Sequence, residues 1–144
     1  MATLRNIHFF KEETRFRLND ASKLPQWITR VILKHKKNPG EINYIFCSDR
    51  YLQKLNRKYL DHDTYTDIIT FHTAEEKNRI SGDIFISVDR VRSNAVLFKN
   101  SFSDELQRVM IHGILHLIGF QDHTPAEKKK MRSMEDHSLA LRKF

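Results

Sequence analysis

The sequence predicts an α+β fold: a single domain over residues 1–144, with one mixed sheet of about four strands packed against helices. Three observations predict it. Short runs rich in β-branched and aromatic residues are interspersed, in mixed order, with longer runs whose apolar residues recur at helical spacing. Glycine (4) and proline (3) are scarce, and no repeat, low-complexity stretch or linker-like shift of composition marks a second domain. With 40% apolar residues, 144 positions suffice to bury a core.

Residues 4–10 (LRNIHFF) read as the first strand. Residues 12–20 are polar apart from Phe16 and Leu18, and form a loop or a short extra strand. A helix is predicted over 24–36, with Trp27, Ile28, Val31, Ile32 and Leu33 at helical spacing and Ser22 as its N-cap; Asn38-Pro39-Gly40 then breaks the chain. Residues 41–47 are the second strand. Ser48 or Asp49 caps a helix over 50–59 whose Tyr51, Leu52, Leu55 and Tyr59 share a face. The loop 60–65, with His62, leads to a third strand at 66–71, and the charged stretch 73–79 reads as a solvated loop before a fourth strand at 80–88. Asp89 caps a helix over 90–98 that turns Val91, Ala95 and Leu97 or Phe98 inward. Thr124-Pro125-Ala126-Glu127 is a capping box with proline at the first helical position, and it opens a last helix to about residue 142 with Met131, Met134, Glu135 and Leu139 on its packed side.

The formal charge is +7, from 25 Lys and Arg against 18 Asp and Glu, a balance that suits a polyanionic partner. The single cysteine, Cys47, allows no internal disulfide and no thiolate cage, and reads as a small buried filler. No apolar run approaches the ~20 residues of a membrane span, and the N-terminus lacks a signal peptide's layout, so a cytoplasmic location is expected.

Chemistry concentrates in residues 103–123, SDELQRVMIHGILHLIGFQDH. His112 and His116 are four apart, so on a helix they project from one face, a turn apart, as two imidazoles that share a metal do. Ser101 and Ser103 compete as its N-cap, and Gly119 ends it by taking up a left-handed conformation. Asp122 stands in the register of a third ligand and His123 one residue later; either completes the set. Gly113 occupies the place where the metalloprotease pattern H-E-x-x-H carries its general base, which argues against ordinary peptide hydrolysis. The spacing predicts one divalent ion per chain, zinc or another, held by three protein groups with a position left for water.

His112-Gly113-Ile114-Leu115-His116-Leu117-Ile118-Gly119-Phe120, together with Thr66-Asp67-Ile68-Ile69-Thr70-Phe71, Gly82-Asp83-Ile84 and Asn56 to Tyr59, resembles the YbeY-type bacterial metal-dependent endoribonucleases. Their signature is similar to H-G-x-L-H-L-x-G-Y-D-H, with T-D-V-L-S-F, G-D-I and N-x-x-Y upstream. Glu127, Met131 and Glu135 fall where that family's last helix carries E, M and E. Two positions depart. Phe120-Gln121-Asp122 replaces Y-D-H, which puts Asp122 in the column of the third histidine, and Leu60 stands where the family has an arginine after N-x-x-Y. Arg57 and Lys58 lie nearby as candidates for contact with RNA.

The resemblance implies a similar fold with the metal helix buried along the sheet. It also implies a single-strand-specific endoribonuclease that acts in ribosomal RNA processing, at the 3′ end of the small-subunit RNA, and in ribosome quality control. Ribosomal RNA and the small ribosomal subunit are the partners it implies. Two other functions fit the residues: a metal-dependent hydrolase of a non-nucleic-acid substrate, or a ribosome-associated protein in which zinc is structural. Asp67 and Asp83 are candidates for a general base, each also placed where turns and caps use aspartate.

Overall fold

A computed structural model describes residues 6–61 and 65–144; Leu4 and Arg5 of the predicted first strand and His62 lie outside the described residues. The elements run β1 (Ile7–Glu12), α1 (Leu24–Lys34), β2 (Asn38–Cys47), α2 (Asp49–Leu60), β3 (Ile68–Glu76), β4 (Arg79–Ser87), α3 (Val88–Phe98), α4 (Phe102–Ile118) and α5 (Pro125–Leu139). They form the predicted single domain: four strands in the order β1-β2-β4-β3, with five helices. β1, β2 and β4 are parallel and β3 is antiparallel to β4, so the sheet is mixed.

Successive strand residues face opposite sides, and this sheet uses both. Ile42, Tyr44 and Phe46 of β2 and Ile84 and Ile86 of β4 join the main core with Trp27, Ile28 and Ile32 of α1, Val88 and Val91 of α3, and Met110, Ile111 and Ile114 of α4. Cys47, Ile69, Phe71 and Phe85 turn to the other face, where Leu52, Tyr51 and Leu55 of α2 cover them. Each fully buried aliphatic or aromatic side chain stabilises the fold by about 1.5–3 kcal/mol relative to exposure. α5 closes the structure over α1 and α4. The Trp27 indole Nε1 donates to the Ser138 carbonyl at 2.8 Å, so this buried polar atom has a partner.

Several local expectations are corrected. Residues 73–79 are not a loop: β3 runs to Glu76 and β4 begins at Arg79, leaving Lys77 and Asn78 as the turn. Asn38-Pro39-Gly40 does not break the chain but starts β2, with an irregularity between Pro39 and Ile42. β1 pairs with β2 only from Ile42 onward, so proline's missing N–H interrupts no bond to β1. Of the two readings of residues 12–20, β1 takes in Glu12 and the rest forms no further strand. The cap of α3 is Ser87, whose Oγ accepts from the Arg90 N–H at 3.1 Å, rather than Asp89. α1 starts after Lys23 with no side-chain cap, so Ser22 has no such role. Val91 and Ala95 point inward as expected, but Leu97 and Phe98 are 70% and 53% exposed. At ~100° per residue, Leu97 sits on the far side of the helix from Ala95.

Candidate metal centre

Helix α4 carries the two histidines, and its ends are fixed by its own sequence. Ser101 Oγ accepts from the Asp104 N–H at 3.0 Å, so Ser101 rather than Ser103 is the N-cap, and Asp104 and Glu105 in the first turn complement the helix dipole. At the other end Gly119 takes φ +125°, which side-chain-bearing residues rarely adopt, and its N–H bonds back to the carbonyls of Leu115 and His116. Midway, Tyr44 Oη donates to the Met110 carbonyl at 2.9 Å and ties the turn before His112 to the sheet.

Gly113 explains the absent glutamate of the metalloprotease pattern. A Cβ there would lie 2.9 Å from Ile84 Cγ2 and 3.1 Å from Ile68 Cδ1, because this face of the helix rests directly on β3 and β4. A side chain at this position would run into the sheet, so there is no room for a general base.

His112 and His116 stand at the wall of a cavity of about 650 Å³. Their Nε2 atoms are 3.0 Å apart, and Asp122 Oδ2 lies 3.3 Å from the first and 3.5 Å from the second. Four tetrahedral ligands at 2.0–2.2 Å from a zinc ion stand roughly 3.3 Å from each other. These three donors therefore match one face of such a tetrahedron, and the group could hold a metal ion. His123 is not brought to it. Its side chain is exposed, and its backbone N–H donates to Glu127 Oε1 at 3.1 Å, next to the Thr124–Glu127 capping box that begins α5.

A fourth residue completes the arrangement. Glu135 Oε2 is 2.7 Å from His112 Nδ1, and its Oε1 accepts from Arg108 at 2.9 Å; Arg108 also bonds Asp136 at 2.7 Å. With Nδ1–H committed to Glu135, the neutral His112 ring presents a bare Nε2 lone pair to the cavity, the form a metal requires. Burial by itself would lower the His112 pKa, but the hydrogen bond and charge of Glu135, with Asp122 and Asp67, outweigh it and the pKa is raised. Burial and the neighbouring His112 lower that of His116, against the attraction of Asp122. Glu135 reads in the sequence as part of the packed side of the last helix. A carboxylate amid Met131 and Leu139 on a buried face was the available signal that it has a charged partner.

The two aspartates proposed as bases are separated. Asp67 lines the cavity at the start of β3, and burial raises the pKa of its carboxyl. Asp83 lies on β4 as the acceptor of a 3.0 Å bond from Asn43 and does not line the cavity. Arg57 and Lys58 also stay outside it; with Lys54 they line a separate shallow depression on α2. Leu60 does reach the cavity wall, as do Phe98, His72, Arg108 and Arg132.

A family model described as endoribonuclease YbeY matches residues 6–142. The chain is 53% identical over 138 residues to a protein named endoribonuclease YbeY from Cytophaga hutchinsonii, covering 96% of each. It is 51% identical over 132 residues to the one from Flavobacterium johnsoniae, covering 92% of this chain and 94% of that one. The solution structure of TM1509 from Thermotoga maritima superposes with a TM-score of 0.62 at 27% identity, over 93% of this chain and 89% of that one. A match that runs almost from end to end, at half identity to proteins bearing one name, leaves one conclusion: the chain belongs to the endoribonuclease YbeY family.

Proposed function

We propose that this chain is a metal-dependent endoribonuclease in which His112, His116 and Asp122 hold one divalent ion, zinc or a chemically similar one. The observation that carries the reading is the convergence of three donor atoms, 3.0 to 3.5 Å apart, on a wide cavity. A structural zinc site is closed by four protein ligands, whereas three at a cavity leave a position for water and substrate. When bound there, the ion supplies a Lewis acid for a phosphoryl oxygen and brings the pKa of water toward ~7.

The protein's own part is to orient and exclude. Glu135 and Arg108 hold His112 in the tautomer that offers Nε2. Ile68 and Ile84 pack under Gly113 and fix the height of the helix above the sheet. Asp67, a half-buried carboxyl on the cavity wall, is the proposed acceptor of a proton from an attacking water.

The names of the relatives and the +7 charge support RNA as the substrate. Family membership supports the finer reading: single-strand-specific cleavage in the cytoplasm during ribosomal RNA processing, at the 3′ end of the small-subunit RNA and in ribosome quality control. Among the described residues no helix is long and apolar enough to cross a membrane. Arg57 and Lys58, outside the cavity, are proposed as contacts to RNA beyond the cleavage point. Purified protein loaded with metal should cleave single-stranded RNA, and His116→Ala should abolish both cleavage and metal binding. Equal cleavage by wild type and variant would show that the activity belongs to a contaminant.

A further inference from the structure

The cavity beside the candidate metal ligands is rich in negative charge. Asp67, Glu105, Asp122 and Glu135 all line it. A phosphodiester entering it adds another negative charge, and more develops on its non-bridging oxygens as a nucleophile approaches phosphorus. A cation with uncommitted donors is needed there.

Two arginines line the same cavity, and they differ in what they are free to do. Arg108 is committed: its side chain is only 16% exposed, and its two terminal nitrogens bond Glu135 and Asp136 at 2.9 and 2.7 Å. Arg132 is exposed and, among the described residues, makes no hydrogen bond or ion pair. It stands three residues before Glu135 on α5, hence one turn away on the same side of the helix. Side chains on a helix lean toward its N-terminus, the end at which α5 meets the loop that carries Asp122. From α2 the cavity receives Leu60, which brings hydrocarbon and no charge.

We propose that Arg132 is a catalytic residue of this chain, its guanidinium donating to the non-bridging oxygens of the scissile phosphodiester beside the His112, His116 and Asp122 donors. This rests on the endoribonuclease reading of the same cavity and names the group that binds the phosphate. The planar guanidinium presents paired N–H donors that match two phosphate oxygens at once, and it keeps its proton throughout. Its orientation needs no internal partner, because the substrate is the partner.

The test compares single-turnover cleavage of a fluorescent single-stranded RNA by metal-loaded wild type, Arg132→Gln, Arg132→Lys and Lys23→Gln. The last removes the same charge at the start of α1, from a residue that does not line the cavity. Arg132→Gln should be slower by about 100-fold, the loss typical of one oxyanion donor. Arg132→Lys should recover part of this, and Lys23→Gln should match wild type. Metal affinity, read by competition with a chromogenic chelator, and melting temperature should stay at wild-type values in all four. In salt titrations of RNA binding to the metal-free protein, Arg132→Gln should lower the slope by about one counterion. Arg132→Gln cleaving within about twofold of wild type overturns this assignment alone, as does a loss of metal affinity as large as its loss of rate. Wild type that cleaves no RNA overturns the endoribonuclease reading and this assignment together.

Discussion

Glu135 Oε2 lies 2.7 Å from Nδ1 of His112, across the interface between α5 and α4. A hydrogen bond between two helices thereby sets the tautomer of a candidate metal ligand, and Arg108 holds the carboxylate in place from the other side. Glu135→Gln keeps the shape but loses the negative charge, and its amide can donate from the end that must accept. Metal affinity should fall by about 10- to 100-fold, as is usual for such outer partners of histidine ligands. Competition with a chromogenic chelator measures it. Unchanged affinity would mean that the ring is held by α4 alone.

Asp122 and His123 both line the cavity, but only Asp122 brings a donor atom to the two imidazoles. Asp122→Ala should reduce metal affinity on the order of 100-fold, whereas His123→Ala should leave it within a few-fold. Asp122→His, with a donor that reaches zinc at a similar distance, should retain binding. The reverse order, with His123 essential, would require the loop before α5 to turn over and release the His123 N–H from Glu127.

The contrast between residues 112–119 and residues 122–123 shows what a sequence can reveal. On α4 the period of the helix converts spacing into direction, so two histidines four apart and a terminating glycine specify a shared face. Beyond Gly119 the chain has no period, and nothing local says which of two adjacent side chains turns back. The contact that decides it, Glu127 with the backbone of His123 and Thr124, belongs to the capping of the next helix. For Glu135 the sequence shows a place on the packed side of α5 but not the partner, and for Arg132 nothing, since their relation to the cavity depends on how α5 packs over α4. The hairpin at residues 73–79 was missed for another: β3 is an edge strand, where charged residues are tolerated, so polarity did not signal a loop.

Gly113→Ala tests whether the helix can rise. The added methyl would press on Ile84 and Ile68, both β-branched and stiff at χ1. Overpacking of this kind costs about 1–3 kcal/mol, and the better helix propensity of alanine returns up to ~1 kcal/mol. The net expectation is a destabilisation of about 1 kcal/mol in urea unfolding, with weaker metal binding as both histidines shift. A stabilised variant would show that α4 does not bear directly on the sheet at this point.

Cys47 provides a pH signature of the core beneath α2. Its thiol is wholly buried on β2 and bonds the Ile86 carbonyl at 3.5 Å. Burial first, then the charges of Asp49, Asp89, Glu13 and Glu12, push its pKa from 9.0 up to about 12. Between these values the unfolded chain has lost the proton that the folded chain keeps. The folded state thus binds more protons, and stability must fall as pH rises through this window. A gap from 9.0 to about 12 corresponds to a loss on the order of 4 kcal/mol when fully traversed, and none below pH 9. Urea unfolding at pH 8 and pH 10.5 should show this fall in wild type and a shallower one in Cys47→Ala. The same protection predicts that a disulfide reagent at pH 8 reacts with Cys47 only after denaturant is added. Parallel pH profiles for the two proteins, or rapid labelling in buffer, would place the thiol in contact with water.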